Sequence, residues 1–236
     1  MSGPKLSLVI PCFNEAKNIA LIIERLCRSV SRNDVEVVLV DNGSSDETPR
    51  VLAELLPKTP FIRAIKIDVN RGYGHGIIVG LRAGQGEYLA WTHADLQTSP
   101  ADPIKALEIV ESMGNPIDVF VKGSRRGRPL FDTFFTIGMS FFETLYLKSF
   151  LWDINAQPTL FHRSFFELWS DPPSDFSLDL YSLYNARRHG LKIVRFPVSF
   201  PPRIHGESSW NTGLKAKWKF IKRTIEFSVK LKKGLK

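Results

Sequence analysis

Cysteine is scarce in this 236-residue chain, which contains only Cys12 and Cys27. Two thiols cannot build the disulfide framework of a small secreted domain, and so low a content is typical of a reducing compartment. The first residues, MSGPKLSLVIPCFNE, also lack the long apolar stretch of a signal peptide and lead directly into a strand pattern. We therefore expect a cytoplasmic protein.

Long apolar runs free of charge are missing as well. The segment that comes nearest is Pro129–Trp152, which is rich in Phe, Leu and Met but contains Asp132, Glu143 and Lys148. Its length would suffice to span a bilayer, yet three charges and a glycine argue against a transmembrane helix. We expect either a helix of the core or a helix at a membrane interface, and the sequence leaves both interpretations open.

Acidic residues are scarce towards the C-terminal end. From Gly213 onward a single acid, Glu226, stands against nine basic residues, and this excess equals the whole formal charge of +8. A nucleic-acid-binding domain would carry its basic residues on a folded face, so we expect no nucleic-acid partner. A basic tail is compatible with an anionic lipid surface instead.

Apolar residues recur through the same segment at steps of three and four. They are Leu214, Trp218, Ile221, Ile225 and Val229. Flanked by lysines, this pattern predicts that residues 213–236 form a basic amphipathic helix lying in the membrane interface. The alternative is a solvated C-terminal helix packed on the domain.

Two common nucleotide-binding signatures are also missing. The glycine-rich stretch Asn70–Gly76 has neither the G-x-G-x-x-G spacing of a dinucleotide fold nor the G-K-[ST] of a P-loop. A tight turn that begins a helix is a competing interpretation of its glycines.

Short apolar runs alternate with helical patterns, which predicts βαβ units and a mostly parallel sheet. Strands are expected at Leu6–Pro11, Val35–Val40, Phe61–Ile67, Tyr88–Trp91 and Val119–Lys122. Asn14 is expected to cap the first helix. A polar cluster follows each of these strands, and because the carboxyl ends of parallel strands meet at one edge, we expect the clusters to lie together there.

The polar cluster after the fourth strand contains His93, Asp95 and Gln97. Side chains alternate along a strand, so a continuing strand would place all three on one face. A carboxylate and an amide oxygen suit Mg²⁺ or Mn²⁺, and the imidazole favours Mn²⁺ slightly. A divalent-cation site is one interpretation; a strand end with internally satisfied polar side chains is the other.

Six motifs then follow one another in a recognisable order. They are Pro11–Glu15, Val40–Thr48, Asn70–Gly74, His93–Gln97, Gly123–Arg125 and Arg203–Ser208. With them the chain resembles the inverting family 2 glycosyltransferases of GT-A fold, and most of all the dolichyl- or polyprenyl-phosphate sugar synthases. The resemblance covers roughly residues 6–209.

The resemblance implies an α/β protein with a single GT-A (Rossmann-like) domain over residues 1–212 and a mostly parallel central sheet flanked by helices. The amphipathic helix predicted for residues 213–236 would follow this domain. Donor-binding residues would be Pro11, Asn14, Glu15, Asp41, Asn42, Gly72, His93 and Ala94. The ligands of a Mg²⁺ or Mn²⁺ ion would be Asp95 and Gln97, with His93. Phosphate or acceptor contacts would come from Arg125, Arg126, Arg128, Arg203, Ser208 and Ser209. Catalytic roles would fall to Asp95, Arg125, Arg203 and Asp179.

Two positions depart from the family pattern. The usual pair of aspartates after the second strand is Asp41-Asn42 here, and the usual Asp-Ala-Asp is His93-Ala94-Asp95. The second departure leaves the metal one carboxylate short, and a neutral imidazole offsets less of the cation's charge.

The expected reaction transfers a hexose from a GDP- or UDP-linked sugar to a polyprenyl or dolichyl phosphate, with inversion, on the cytoplasmic face of a membrane. A first alternative is transfer to a saccharide hydroxyl, which needs a general base such as Asp179 or Asp153. The pattern of the helix around Asp179 favours a solvated surface carboxylate. A second alternative, motivated by Asn42 and His93, is a non-catalytic nucleotide-binding homologue.

Overall fold

The computed structural model describes residues 3–127, 130–201 and 214–233. The strands in these ranges are β1 (Leu6–Cys12), β2 (Val35–Asn42), β3 (Ile62–Ile67), β4 (Tyr88–Trp91), β5 (Val119–Arg126), β6 (Thr159–His162) and β7 (Lys192–Ser199). The helices are α1 (Ala16–Ser29), α2 (Thr48–Leu55), α3 (Tyr73–Ala83), α4 (Asp102–Ser112), α5 (Leu130–Leu147), α6 (Arg163–Glu167), α7 (Leu178–Arg188) and α8 (Leu214–Lys233).

The strands form one seven-stranded sheet in the order β3-β2-β1-β4-β6-β5-β7. Strands β1 to β4 pair in parallel, β5 pairs in parallel with β7, and β6 runs antiparallel to both β4 and β5. The six strands other than β6 therefore point the same way, and their carboxyl ends share one edge. The predicted α/β architecture with a mostly parallel sheet is confirmed.

Both faces of the sheet are covered, which explains the near-continuous apolar strands. On β1, Leu8 and Ile10 pack into one hydrophobic cluster with α1 and α4, whereas Val9 packs into a second cluster with α3 and α7. All three side chains are fully buried. Because both faces are buried, apolar residues stand at consecutive positions of this strand instead of at every second position.

Helix α8 packs on the rest of the protein through Phe227, Ser228 and Leu231. Phe227 and Leu231 contact the second hydrophobic cluster. The Ser228 hydroxyl is buried and lies 2.8 and 2.7 Å from the two carboxylate oxygens of Glu143 in α5. Burial raises the pKa of Glu143 to about 7, and the hydrogen bond from Ser228 offsets only part of that effect. No helix in the described ranges is both long and apolar enough to cross a membrane.

Tight packing of α3 on the sheet generates a stability prediction. A Cβ at Gly80 would lie 2.9 Å from Val40 and closer still to Val9, both stiff β-branched side chains. Gly80→Ala should therefore lower the free energy of unfolding by about 1–3 kcal/mol. Urea unfolding followed by circular dichroism measures the change.

Gly138 in α5 is the matched control, because a Cβ there meets no atom within 4 Å. Gly138→Ala should leave stability unchanged or raise it by up to about 1 kcal/mol, the difference in helix propensity. Equal effects of the two substitutions would contradict the packing described for α3.

Candidate active site

The loops after β1 and β2 are bound to each other at the shared sheet edge. Asn14 has a left-handed backbone, with φ 55°, and its side-chain oxygen accepts hydrogen bonds from the backbone N–H groups of Ser45 and Asp46 at 2.8 and 3.3 Å. Helix α1 begins with Glu15 at its N-cap and no side-chain capping bond. The predicted capping role of Asn14 is therefore wrong, since its carboxamide holds the neighbouring loop instead.

Most predicted donor-binding residues lie at this edge. Asp41 and Asn42 are buried at the end of β2, where Asp41 accepts a hydrogen bond of 3.0 Å from the Ser44 backbone. The Asn42 amide nitrogen donates to the Gly72 carbonyl at 2.9 Å. A carboxylate cannot donate, so an aspartate at position 42 would face that carbonyl without a hydrogen bond. The departure from the family pattern therefore has a local structural reason.

Two glycines at the start of α3, Gly72 and Gly74, allow a close backbone contact. Gly72 has φ 107°, and a Cβ on it would lie 2.5 Å from the Ser174 carbonyl oxygen; a Cβ on Gly74 would lie 2.5 Å from that of Pro173. The His75 N–H donates to the Ser174 carbonyl at 2.9 Å. These contacts support the interpretation of the stretch as a tight turn that begins a helix.

The predicted metal ligands lie beyond the end of β4, which stops at Trp91. The period-two argument for one shared face therefore does not apply to His93, Asp95 and Gln97. Asp95 is buried, and one of its carboxylate oxygens accepts the Gln97 N–H at 3.1 Å. The Gln97 side-chain nitrogen donates to the Pro201 carbonyl at 3.2 Å.

These two side chains supply oxygen atoms of the kind that Mg²⁺ and Mn²⁺ prefer. Within the described ranges no group of three His, Cys, Asp or Glu residues is arranged to hold a metal ion. The donor set of Asp95 and Gln97 thus fits a cation whose remaining ligands come from the phosphates of a bound nucleotide. It does not resemble an all-protein metal cage.

The His93 ring belongs to a stack of three rings, Phe176, Tyr73 and His93. The Tyr73 ring lies 5.1 Å from the His93 ring and 4.6 Å from the Phe176 ring, centroid to centroid, with interplanar angles of 23° and 12°. An aspartate could not extend this stack. The imidazole at position 93 therefore has a packing role beside any role as a ligand.

Asp179 lies at the centre of a buried polar network that includes Lys122 and Gln157. The Lys122 ammonium and the Gln157 amide both donate to the same Asp179 oxygen, at 3.3 and 2.8 Å. Lys122 also donates to the Thr159 hydroxyl at 2.8 Å. The expectation of a solvated surface carboxylate is wrong, because the first turn of α7 faces the interior and Asp179 is fully buried.

Burial also shifts the pKa values in this network. It lowers the pKa of Lys122 to about 8, an effect that the charge of Asp179 partly offsets. Burial, with the charge of Asp179, raises the pKa of Tyr73 well above its usual value. The Tyr73 hydroxyl lies 3.2 Å from the Gln157 amide nitrogen, which connects the network to the three-ring stack.

Sequence reasoning missed Lys122. The available signal was a lysine at the end of the apolar run Val119–Val121, where a charge inside a buried strand requires a buried partner. That partner, Asp179, is 57 residues away in the sequence.

Arg125 and Asp153 are bound to each other close to the same edge. The Arg125 Nε donates to Asp153 at 2.9 Å, its Nη2 contacts the same oxygen, and its backbone N–H donates to the other oxygen at 3.0 Å. Burial acts to raise the pKa of Asp153, but the charge and hydrogen bonds of Arg125 outweigh it and lower that pKa. Both side chains are thus engaged inside the protein, whereas Arg126 at the end of β5 is exposed.

The structure brings some predicted residues together and leaves others undescribed. Pro11 lies near the end of β1, Glu15 is the N-cap of α1, Gly72 is the N-cap of α3, and Ala94 is buried beside Asp95. Arg128, Arg203, Ser208 and Ser209 lie outside the described residues, so their predicted phosphate contacts remain predictions.

Comparison with known proteins assigns the family. The sequence pattern of glycosyl transferase family 2 matches residues 7–168, more than half of the chain. The chain belongs to glycosyl transferase family 2. The matched range includes β1 to β5 and the motifs at Pro11–Glu15, Asp41-Asn42 and His93–Gln97, so the family predicted from those motifs is confirmed.

Two curated relatives in this family show the range of similarity. The chain is 27% identical over 217 residues to the glycosyltransferase AglD of Haloferax volcanii, covering 86% of this chain and 34% of that protein. It is 32% identical over 112 residues to the undecaprenyl-phosphate 4-deoxy-4-formamido-L-arabinose transferase of Photorhabdus laumondii, covering 45% of this chain and 34% of that one. The chain thus spans about a third of the length of these relatives.

A solved structure shows the fold. The mannosyltransferase PcManGT of Pyrobaculum calidifontis, in complex with GDP-Man and Mn²⁺, superposes with a TM-score of 0.66 at 19% identity, covering 92% of this chain and 60% of that one. At this identity the likeness speaks for the fold alone. The family 2 chain described here has the predicted GT-A fold.

The buried pair of Lys122 and Asp179 generates a prediction. Lys122→Met would leave the Asp179 carboxylate buried without its cation, so the free energy of unfolding should fall by about 3–5 kcal/mol. Adding Asp179→Asn removes the uncompensated charge and should restore a large part of the loss. Urea unfolding of both variants measures this.

Lys105→Met is the matched control. Lys105 also pairs with an aspartate, Asp102, at 3.3 Å, but its side chain is 60% exposed. Its loss should cost under about 1 kcal/mol. A Lys122→Met protein as stable as the control would show that the buried pair does not support the fold.

Proposed function

We propose that this protein transfers a hexosyl group from a GDP- or UDP-linked sugar to a polyprenyl phosphate, with inversion at the anomeric carbon. The main support for a phosphate acceptor comes from Asp179. This carboxylate is buried and accepts hydrogen bonds from Lys122 and Gln157. The Photorhabdus relative, an undecaprenyl-phosphate 4-deoxy-4-formamido-L-arabinose transferase, supports the same acceptor class.

A hydroxyl acceptor must lose a proton, so a general base has to reach it. The two carboxylates considered for that task, Asp179 and Asp153, are ion-paired with Lys122 and Arg125. The pKa of Asp153 is lowered, which makes it a weaker base. A lipid phosphate is already ionised at neutral pH and needs no base, so the geometry favours it over a saccharide hydroxyl.

The donor is proposed to bind at the ends of β1, β2 and β4, near Asp41 and Asp95. A divalent cation held by Asp95 and Gln97 would offset the charge that develops on the departing nucleoside diphosphate. Arg126, exposed at the end of β5, is an arginine available to a phosphate at this edge. Arg203 is proposed to add a second positive charge.

The non-catalytic alternative loses its motivation in this structure. Asn42 donates to the Gly72 carbonyl and His93 stacks on Tyr73, so both departures from the family pattern have structural reasons. Neither requires loss of the reaction.

The site of action is proposed to be the cytoplasmic face of a membrane, where a lipid phosphate is met. In this proposal residues 1–212 form the catalytic domain, and residues 213–236 bring basic side chains to the bilayer. The lysines of α8 support the proposal, since its last turn holds Lys230, Lys232 and Lys233.

An assay with Mn²⁺, GDP- and UDP-linked sugars and detergent-dispersed polyprenyl phosphate tests the function, with the glycolipid product quantified. Asp95→Asn should reduce turnover by about 100-fold or more, because it removes a metal ligand. Chelation of the metal should stop the wild-type reaction. Glu108→Gln, an exposed acid of α4, is the control and should retain wild-type turnover.

Absence of glycolipid from every donor would contradict the proposed function. Equal turnover of Asp95→Asn and Glu108→Gln would instead contradict the assignment of the metal site while leaving the acceptor open.

A further inference from the structure

Helix α5 has its polar and apolar sides reversed relative to an ordinary surface helix. Between Thr133 and Leu147 the sequence holds one charged residue, Glu143, and it is fully buried against α8. Ser140, one turn earlier on the same side, is also buried. A helix on the surface of a globular protein normally turns such residues to water.

The opposite side of α5 is apolar and exposed. Phe134, Ile137, Phe141 and Leu145 follow one another at steps of three and four, which places them on one side of the helix. They are 76%, 41%, 65% and 62% exposed. We call these four residues the α5 stripe. Phe150 and Trp152 extend the exposed apolar surface just beyond the helix, at 64% and 39%.

Exposed apolar surface of this size marks an interaction site. Single exposed apolar residues are common, but a stripe of three helical turns is not. The remaining question is what covers it.

Positive charge borders the α5 stripe. The Lys232 ammonium lies 4.1 Å from the centre of the Tyr146 ring and donates to the Tyr146 carbonyl at 2.8 Å. Tyr146 in turn stacks on Phe142 at 5.7 Å. Lys148 at the end of α5 and Lys233 at the end of α8 are both exposed. Apolar side chains bordered by lysines match a bilayer of anionic lipid, which offers hydrocarbon below and negative headgroups above.

One side of α8 is already occupied. Phe227, Ser228 and Leu231 face the protein interior, and Arg223 and Lys230 pair with Asp175 and Asp171 at 3.2 and 2.9 Å. Helix α8 therefore uses one part of its apolar surface for internal packing and presents Trp218, which is 66% exposed, on another.

We propose that the α5 stripe is the membrane-inserting surface of this protein and that the lysines of α8 attract the headgroups beside it. The chain lies on an anionic bilayer with α5 parallel to the surface and does not cross it. This extends the proposed function, since α5 starts four residues after Arg126, which is at most about 14 Å of chain from the carboxyl-end edge of the sheet. A lipid acceptor would thus be met next to the donor site.

Vesicle flotation tests this without any substrate. The wild-type protein should float with vesicles of phosphatidylcholine and phosphatidylglycerol that contain no polyprenyl phosphate. Phe141→Asp/Leu145→Asp should bind them about tenfold more weakly or worse, because two apolar side chains that insert into the bilayer are lost and two charges are added. Ile117→Asp/Leu168→Asp, at 59% and 54% exposure elsewhere, is the matched control and should bind like wild type.

A second pair of variants tests the charge. Lys148→Glu/Lys233→Glu should weaken binding to the anionic vesicles about tenfold or more and should not change binding to pure phosphatidylcholine. Lys17→Glu/Lys58→Glu makes the same change in net charge on exposed residues of another surface. It should reduce binding much less.

Three results would overturn the proposal. One is flotation of Phe141→Asp/Leu145→Asp at wild-type affinity. Another is absence of vesicle binding by the wild-type protein. The third is a dimer, seen by light scattering, that Phe141→Asp/Leu145→Asp dissociates, because the α5 stripe would then be covered by a second copy. Transfer to detergent-dispersed acceptor should be normal in this variant, so a failure of the membrane surface is distinguishable from a failure of the proposed function.

Discussion

A buried lysine and a buried aspartate form an ion pair under the carboxyl-end edge of the sheet, and the site depends on this contact. Lys122 comes from β5 and Asp179 from α7. Gln157 and Thr159 supply the remaining hydrogen bonds. Gln157 is also hydrogen-bonded to the Tyr73 hydroxyl, and the His93 ring stacks on the Tyr73 ring. An ion pair of this kind is costly to bury and costly to break. It therefore fixes α7 and the ring stack relative to the sheet, and it occupies a carboxylate that would otherwise be suited to proton transfer.

The same logic applies to the second ion pair at this edge. Asp153 accepts hydrogen bonds from the Arg125 side chain and backbone N–H, and these bonds fix the end of β5. The exposed cation there is the next residue, Arg126. Because alternate residues of a strand face opposite sides, one arginine can serve the fold and its neighbour can serve a ligand.

Much of the fold could be predicted from the sequence, because strands such as β1 and β2 are buried on both faces and are apolar throughout. The position of the polar loops followed from the same pattern, since parallel strands end at one edge. The side-chain contacts could not be predicted. Asn42, His93 and Asp179 each have a partner distant in the sequence: the Gly72 carbonyl, the Tyr73 ring and Lys122. Local patterns depend only on residues that are near in sequence. They therefore suggested that Asn42 is a lost carboxylate, that His93 is a metal ligand and that Asp179 is a solvated acid. The orientation of α5 was equally hidden, because the polar residues Ser140 and Glu143, which a surface helix ordinarily turns to water, are buried here.

The central claim is that the acceptor arrives already ionised, so that the reaction needs no protein base. The most direct measurement compares two acceptors that share one lipid chain, polyprenyl phosphate and the corresponding polyprenol, with the same nucleotide sugar and Mn²⁺. The account predicts glycosylation of the phosphate and turnover of the alcohol lower by about 100-fold or more, since a missing general base costs that much. Comparable transfer to the alcohol would contradict it, because a group in this site would then have to remove the hydroxyl proton.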